Sequence, residues 1–110
     1  MTLRPQSPPT YQYIYVPRQK VEDGHYQTKT IRKDDDINYI TVRSLINLRK
    51  ELVQKYSGKA SCVDVYRYNA YGFGGAEHEG RIYLDRAFDM WESYNELRVL
   101  KEDGRLGRKI

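Results

Sequence analysis

Hydrophobic and polar positions change period several times along the chain, and each change marks an element. Residues 11–16 read Tyr-Gln-Tyr-Ile-Tyr-Val, with Tyr11, Tyr13 and Tyr15 on one side of an extended chain and Ile14 and Val16 on the other. That alternation predicts a strand. A polar loop containing Asp23-Gly24 follows, and Thr28, Thr30 and Ile31 within 26–32 predict a second strand, joined to the first as a hairpin with a long connection. From 42 to 56 the period becomes helical. Val42, Leu45, Ile46, Leu48, Leu52, Val53 and Tyr56 form one broad apolar face, with Thr41 at the N-cap position and Gly58 where a left-handed C-terminal cap belongs.

Residues 61–69 alternate again and predict a third strand. Cys62, Asp64, Tyr66 and Tyr68 share one side of it, Val63 and Val65 the other, and Asp64 is an awkward residue for such a position. Glycines at 72, 74, 75 and 80 mark a flexible connection, after which residues 81–84 read as a short fourth strand. A second helix is predicted over 86–101, capped by Asp85 and closed by Asp103-Gly104. Its inner face holds Ala87, Phe88, Met90, Trp91, Tyr94 and Leu97, and its outer face the acidic Asp85, Asp89, Glu92 and Glu96.

These elements predict an α+β fold: a two-layer sandwich in the order ββαββα, with a four-stranded, mostly antiparallel sheet carrying two helices on one face. The other sheet face is then open. Residues 1–10, with Pro5, Pro8 and Pro9, are expected as an extended arm, 11–103 as a single domain, and 104–110 as a basic tail that frays.

The 110-residue length fits one domain. No apolar run is long enough to span a bilayer, and the N-terminal residues lack an apolar signal segment, so a cytoplasmic protein without membrane contact is expected. The single cysteine, Cys62, has no thiol partner in the chain. The formal charge of +4 is unevenly placed: residues 1–59 carry eleven Lys and Arg against six Asp and Glu, whereas 60–110 carry eight against nine. An anionic partner would therefore meet its attraction mainly in the first half.

Eleven tyrosines are the most unusual feature of the composition. Rings standing on an uncovered sheet face can stack bases without sequence preference, and neighbouring guanidinium groups strengthen the contact. The candidate partner-binding set is Tyr11, Tyr13, Tyr15, Tyr68, Tyr71 and Phe73 among the aromatic residues, with Arg18, Lys20, Arg32, Lys33, Arg67 and Arg81 as cations. Residues 72–75 do not lead directly into a helix, so the glycines suit a hairpin loop presenting Tyr71 and Phe73 better than a phosphate cradle. Arg49 and Arg98 project toward the apolar side of their expected helices and must snorkel or pair, with Asp64 a candidate partner.

Signals for catalysis are weak. Asp34-Asp35-Asp36 and Glu77-His78-Glu79 offer carboxylates and an imidazole, but neither spacing matches a zinc pattern, and no nucleophile is assigned to either histidine. No catalytic residue, metal or cofactor is assigned. Small size, high tyrosine content, a lone cysteine and the absence of catalytic motifs are compatible with the accessory proteins that viruses and mobile elements encode. The expectation is a non-enzymatic binding protein engaging nucleic acid, or a protein complex that handles it, through a face rich in tyrosine and arginine. The alternatives are a protein-interaction or inhibitor module without nucleic-acid contact and, less favoured, a small metal-dependent nuclease built from Asp34, Asp36, Asp64, His78 and Glu79. An uncovered aromatic sheet is also compatible with a homodimer.

Overall fold

Alternating side chains build most of this molecule. A computed structural model of the chain describes residues 11–20, 29–33, 35–68 and 75–110. Its elements are β1 (Tyr11–Arg18), β2 (Asn38–Val42), α1 (Leu45–Tyr56), β3 (Cys62–Tyr68), β4 (Ala76–Tyr83), β5 (Met90–Ser93), β6 (Glu96–Leu100) and β7 (Leu106–Lys109). The strands form one seven-stranded sheet in the order β2-β1-β3-β4-β5-β6-β7, and every neighbouring pair is antiparallel.

The architecture is thus mostly β, and the four-stranded sandwich with two helices is corrected. Residues 90–100 form a hairpin where a second helix was expected. Trp91 and Leu100 are both buried in the same core. Nine residues apart, they would stand half a turn from each other on a helix, on opposite sides. In the hairpin they share one sheet face. Tyr94 and Asn95 turn the chain with φ of 50° and 63°, the left-handed pair that matches the twist of two antiparallel strands.

The partner of β1 also differs. Residues 29–33 carry no strand, and β1 pairs instead with β2, in the register Tyr11↔Val42 to Tyr15↔Asn38. The sequence Asn-Tyr-Ile-Thr-Val suits that edge through its β-branched residues. Thr41 and Val42 are therefore strand residues, and the helix is capped by Ser44, whose Oγ accepts the Asn47 backbone N–H at 3.1 Å. Gly58 follows the helix at φ 76°, as its place in the sequence predicts. The basic C-terminal residues pair as β7 with β6.

α1 packs on one face of the sheet. Leu48, Leu52 and Val53 meet Tyr13, Tyr15, Val63, Val65, Ile82, Trp91 and Leu100, which form the main core. Gly80 in β4 is required there, because a Cβ at this position would lie 2.2 Å from the buried Trp91 ring. Gly80→Ala is expected to cost about 1–3 kcal/mol of stability by overpacking, measured as a lower urea midpoint.

The opposite face is covered over β1 and β3, which corrects the expectation of a wholly open one. Ile14, Val16 and Tyr66 form a second, smaller core there, and Ile31 and Ile37 pack against it. Among the described residues, no helix is long and apolar enough to cross a membrane.

Candidate functional site

A carboxylate at the centre of the sheet organises this second face. Asp64 is fully buried in β3, and its cross-strand neighbours are Val16 in β1 and Arg81 in β4. Arg81 donates from Nε at 2.8 Å and Nη2 at 2.9 Å, and Arg18 donates from Nε at 2.6 Å. His78 Nε2 lies 2.9 Å from the same carboxylate. A register shift makes this possible: Val65 pairs with Gly80 but Tyr66 pairs with His78, leaving Glu79 as an extra residue. The bulge turns His78 onto the face that Arg81 already occupies, two groups aimed at one acid.

The covering segment completes the network. Arg18 also donates to Asp35 Oδ1 at 2.8 Å, to the Thr30 carbonyl at 3.1 Å and to the Tyr66 hydroxyl at 3.0 Å. Tyr66 in turn donates to the Lys29 carbonyl. Two buried guanidinium groups thus meet two carboxylates, and among the described residues no buried side-chain nitrogen or oxygen lacks a hydrogen-bond partner. Burial raises the Asp64 pKa, but the hydrogen bonds from His78 and Arg81 and the Arg81 charge outweigh it and hold the acid down at about 2. Cys62 lies on the same face, and burial pushes its thiol up to about 12, which leaves it unreactive near neutrality. A saturated, water-excluded network of this kind locks the covering segment to the sheet.

The candidate residues divide by where they stand. Tyr13 and Tyr15 lie buried beneath α1, and Arg18 and Arg81 belong to the Asp64 network, so none of these four is presented to a partner. Lys20, Arg32 and Lys33 are exposed, away from the sheet end described next. Tyr71 and Phe73 lie outside the described residues.

Tyr11, Arg67 and Tyr68 are exposed at one end of the sheet, Tyr11 and Arg67 on the helix side and Tyr68 on the other. Tyr11 opens β1 opposite the last residue of β2, Arg67 and Tyr68 close β3, and the exposed Arg43 follows β2 at the same end. Tyr39, unassigned by sequence, adds a 61 % exposed ring from β2. Arg67 faces Glu77 at 3.6 Å, an exposed pair that contributes little and is easily exchanged for another anion.

Of the nuclease set, Asp34 lies outside the described residues, and His78 and Asp64 meet each other within the arginine network. Asp64 is enclosed by arginines, and among the described residues no group of three or more His, Cys, Asp or Glu could hold a metal ion.

Sequence reasoning missed a cleft of about 270 Å³ on the helix side, lined by residues that include Arg49 and Leu45 of α1, Trp91 of β5, and Tyr94, Glu96 and Arg98 of the β5–β6 hairpin. Arg49 does not reach Asp64. It lies over the Trp91 ring at 5.1 Å and donates from Nε to the Gly104 carbonyl at 2.9 Å. The available signal was Tyr94-Asn95 between two alternating stretches, a turn pair.

Comparisons of the chain with family models, curated proteins and solved structures return no match.

Proposed function

We propose that this protein is a non-enzymatic binding module whose partner is nucleic acid, or a protein complex that handles it, met at the sheet end where β1 begins and β3 ends. The observation that supports this reading is that exposed Tyr11 and Tyr68 and the cations Arg43 and Arg67 all stand at that one end, Tyr11 and Arg67 on the helix side of the sheet and Tyr68 on the other. Rings there offer stacking area, and the guanidinium groups offer phosphate contacts.

Anisotropy of a labelled single-stranded oligonucleotide tests the reading. Binding should fall roughly tenfold or more between low and moderate salt, as counterion release requires. Tyr11→Ala and Tyr68→Ala should each weaken it about fivefold or more through lost stacking. Absence of binding, or binding indifferent to both salt and these variants, would count against nucleic acid and leave a protein partner as the better account.

A further inference from the structure

We propose that the cleft between α1 and the β5–β6 hairpin is a site for the phosphate monoester of a nucleotide, with the phosphate on Arg49 and Arg98 and the base against Tyr94. This site is separate from the sheet end and does not depend on polymer binding there.

Arg49 carries the argument. It is only 6 % exposed, and among the described residues no ion pair joins it to a carboxylate. Its Nε donates to one backbone carbonyl, its guanidinium lies over the face of Trp91, and Glu79 acts on it electrostatically without forming an ion pair. Burial weakens the charged form of Arg49, and the nearby Glu79 carboxylate offsets that only in part; an anion in the adjoining cleft would offset more of the cost of holding this cation out of water. The other buried arginines, Arg18 and Arg81, differ in this respect, since both are held by Asp64.

The cleft walls favour an anion as well. Arg98 lines it with Nε held by the Gly107 carbonyl at 3.1 Å. The first turn of α1, which contributes Leu45, contains no acidic residue to offset the positive end of the helix. Glu96 also lines the cleft, but it lies 3.9 Å from Arg98, so two cations face one acid. Paired guanidinium groups match the several oxygens of a phosphate better than a single point charge would.

Tyr94 specifies the remainder of the ligand. Its ring is 87 % exposed at the rim, on a backbone with φ of 50°, where a bulky residue is uncommon. Trp91 cannot stack a ligand, because its ring is enclosed between Arg49 and Gly80. A volume near 270 Å³ lies just below the usual range for small-molecule pockets, roughly 300–1,000 Å³, and suits a phosphate and sugar with the base outside on Tyr94.

Trp91 is the single tryptophan of the chain and lies within the site, so its emission reports occupancy. Titration with a nucleoside 5′-monophosphate should give a saturable change, and the same nucleoside without phosphate should give none. Arg98→Gln should weaken the nucleotide about fivefold or more, consistent with loss of one charge-assisted contact. Tyr94→Asn, at an exposed position whose backbone suits asparagine, should weaken the nucleotide by about fivefold or more while leaving inorganic phosphate unchanged.

Competition then identifies the natural source of the phosphate. Displacement by a 5′-phosphorylated oligonucleotide but not by its 5′-hydroxyl form assigns a strand end; displacement by neither assigns the free nucleotide. No saturable change at millimolar nucleotide, an equal response to the nucleoside, or wild-type affinity in both variants would overturn the proposal. A nucleotide response without binding of the 5′-hydroxyl strand would leave this site standing and remove the sheet-end reading alone.

Discussion

Asp64→Ala should destabilise the protein by about 3–5 kcal/mol, because it leaves the two buried guanidinium groups of Arg18 and Arg81 short of the acid between them. The loss is that of a counter-charge more than of packing. Asp64→Asn keeps the volume and part of the hydrogen bonding, so it should cost less than alanine yet still exceed about 1 kcal/mol. Removing the whole set together, as Arg18→Met, Asp64→Leu and Arg81→Met, should cost less than the sum of the three single changes, since no charge then stays buried alone. Urea unfolding of all six variants, the three single changes included, decides this. A loss below about 1 kcal/mol in Asp64→Ala would mean that the network contributes little to folding.

The same acid sets an acid limb. The ordinary pKa is 3.8 and the folded value is about 2, so the folded state binds this proton less readily than the unfolded chain does. The stabilisation is therefore complete above pH 3.8 and is lost as the pH falls through the interval down to about 2. Its size is roughly 2–3 kcal/mol, from about 1.4 kcal/mol for each unit of pKa difference. Stability of Asp64→Asn should be correspondingly flatter with pH across that interval.

What could be read in the sequence follows the range of the interactions concerned. α1 was legible because its signals are local: an apolar stripe repeating every three or four residues and a glycine in left-handed conformation after the last turn. The two faces of β3 were legible from alternation alone, with Val63 and Val65 turned to the main core and Tyr66 to the other. Asp64 stood out as misplaced, but its partners lie 17 and 46 residues away, and no local pattern reveals them. The β5–β6 hairpin was lost to a true ambiguity, since Met90, Trp91, Tyr94 and Leu97 satisfy a helical spacing as well as a strand pair does. Two tertiary facts settle it: Leu100 is buried beside Trp91, and Tyr94 and Asn95 both turn left-handed. The candidate tyrosines divided for a similar reason. Alternation put Tyr11, Tyr13 and Tyr15 on one face correctly, but not which face the helix would cover.

Gly104→Ala should be the most disruptive glycine substitution in the fold, at about 2–5 kcal/mol, combining a left-handed backbone with an enforced clash. Gly104 lies between β6 and β7 at φ 87°, and a Cβ there would come within 2.0 Å of the Ile46 carbonyl oxygen and 3.1 Å of the Lys50 nitrogen. Both atoms are helix backbone, which no rotamer change can move aside. The Gly104 carbonyl also accepts from Arg49, so pushing this turn away from α1 would loosen the guanidinium over Trp91. Gly58 provides the internal control. It has nearly the same backbone, φ 76°, but no atom within 4 Å of a built Cβ. Gly58→Ala should therefore cost only the conformational part, about 1 kcal/mol. The difference between the two urea midpoints isolates the contact of the β6–β7 turn with α1. Equal losses would mean that this turn does not dock on the helix, and a larger loss in Gly104→Ala with altered Trp91 emission would tie the docking to the position of Arg49.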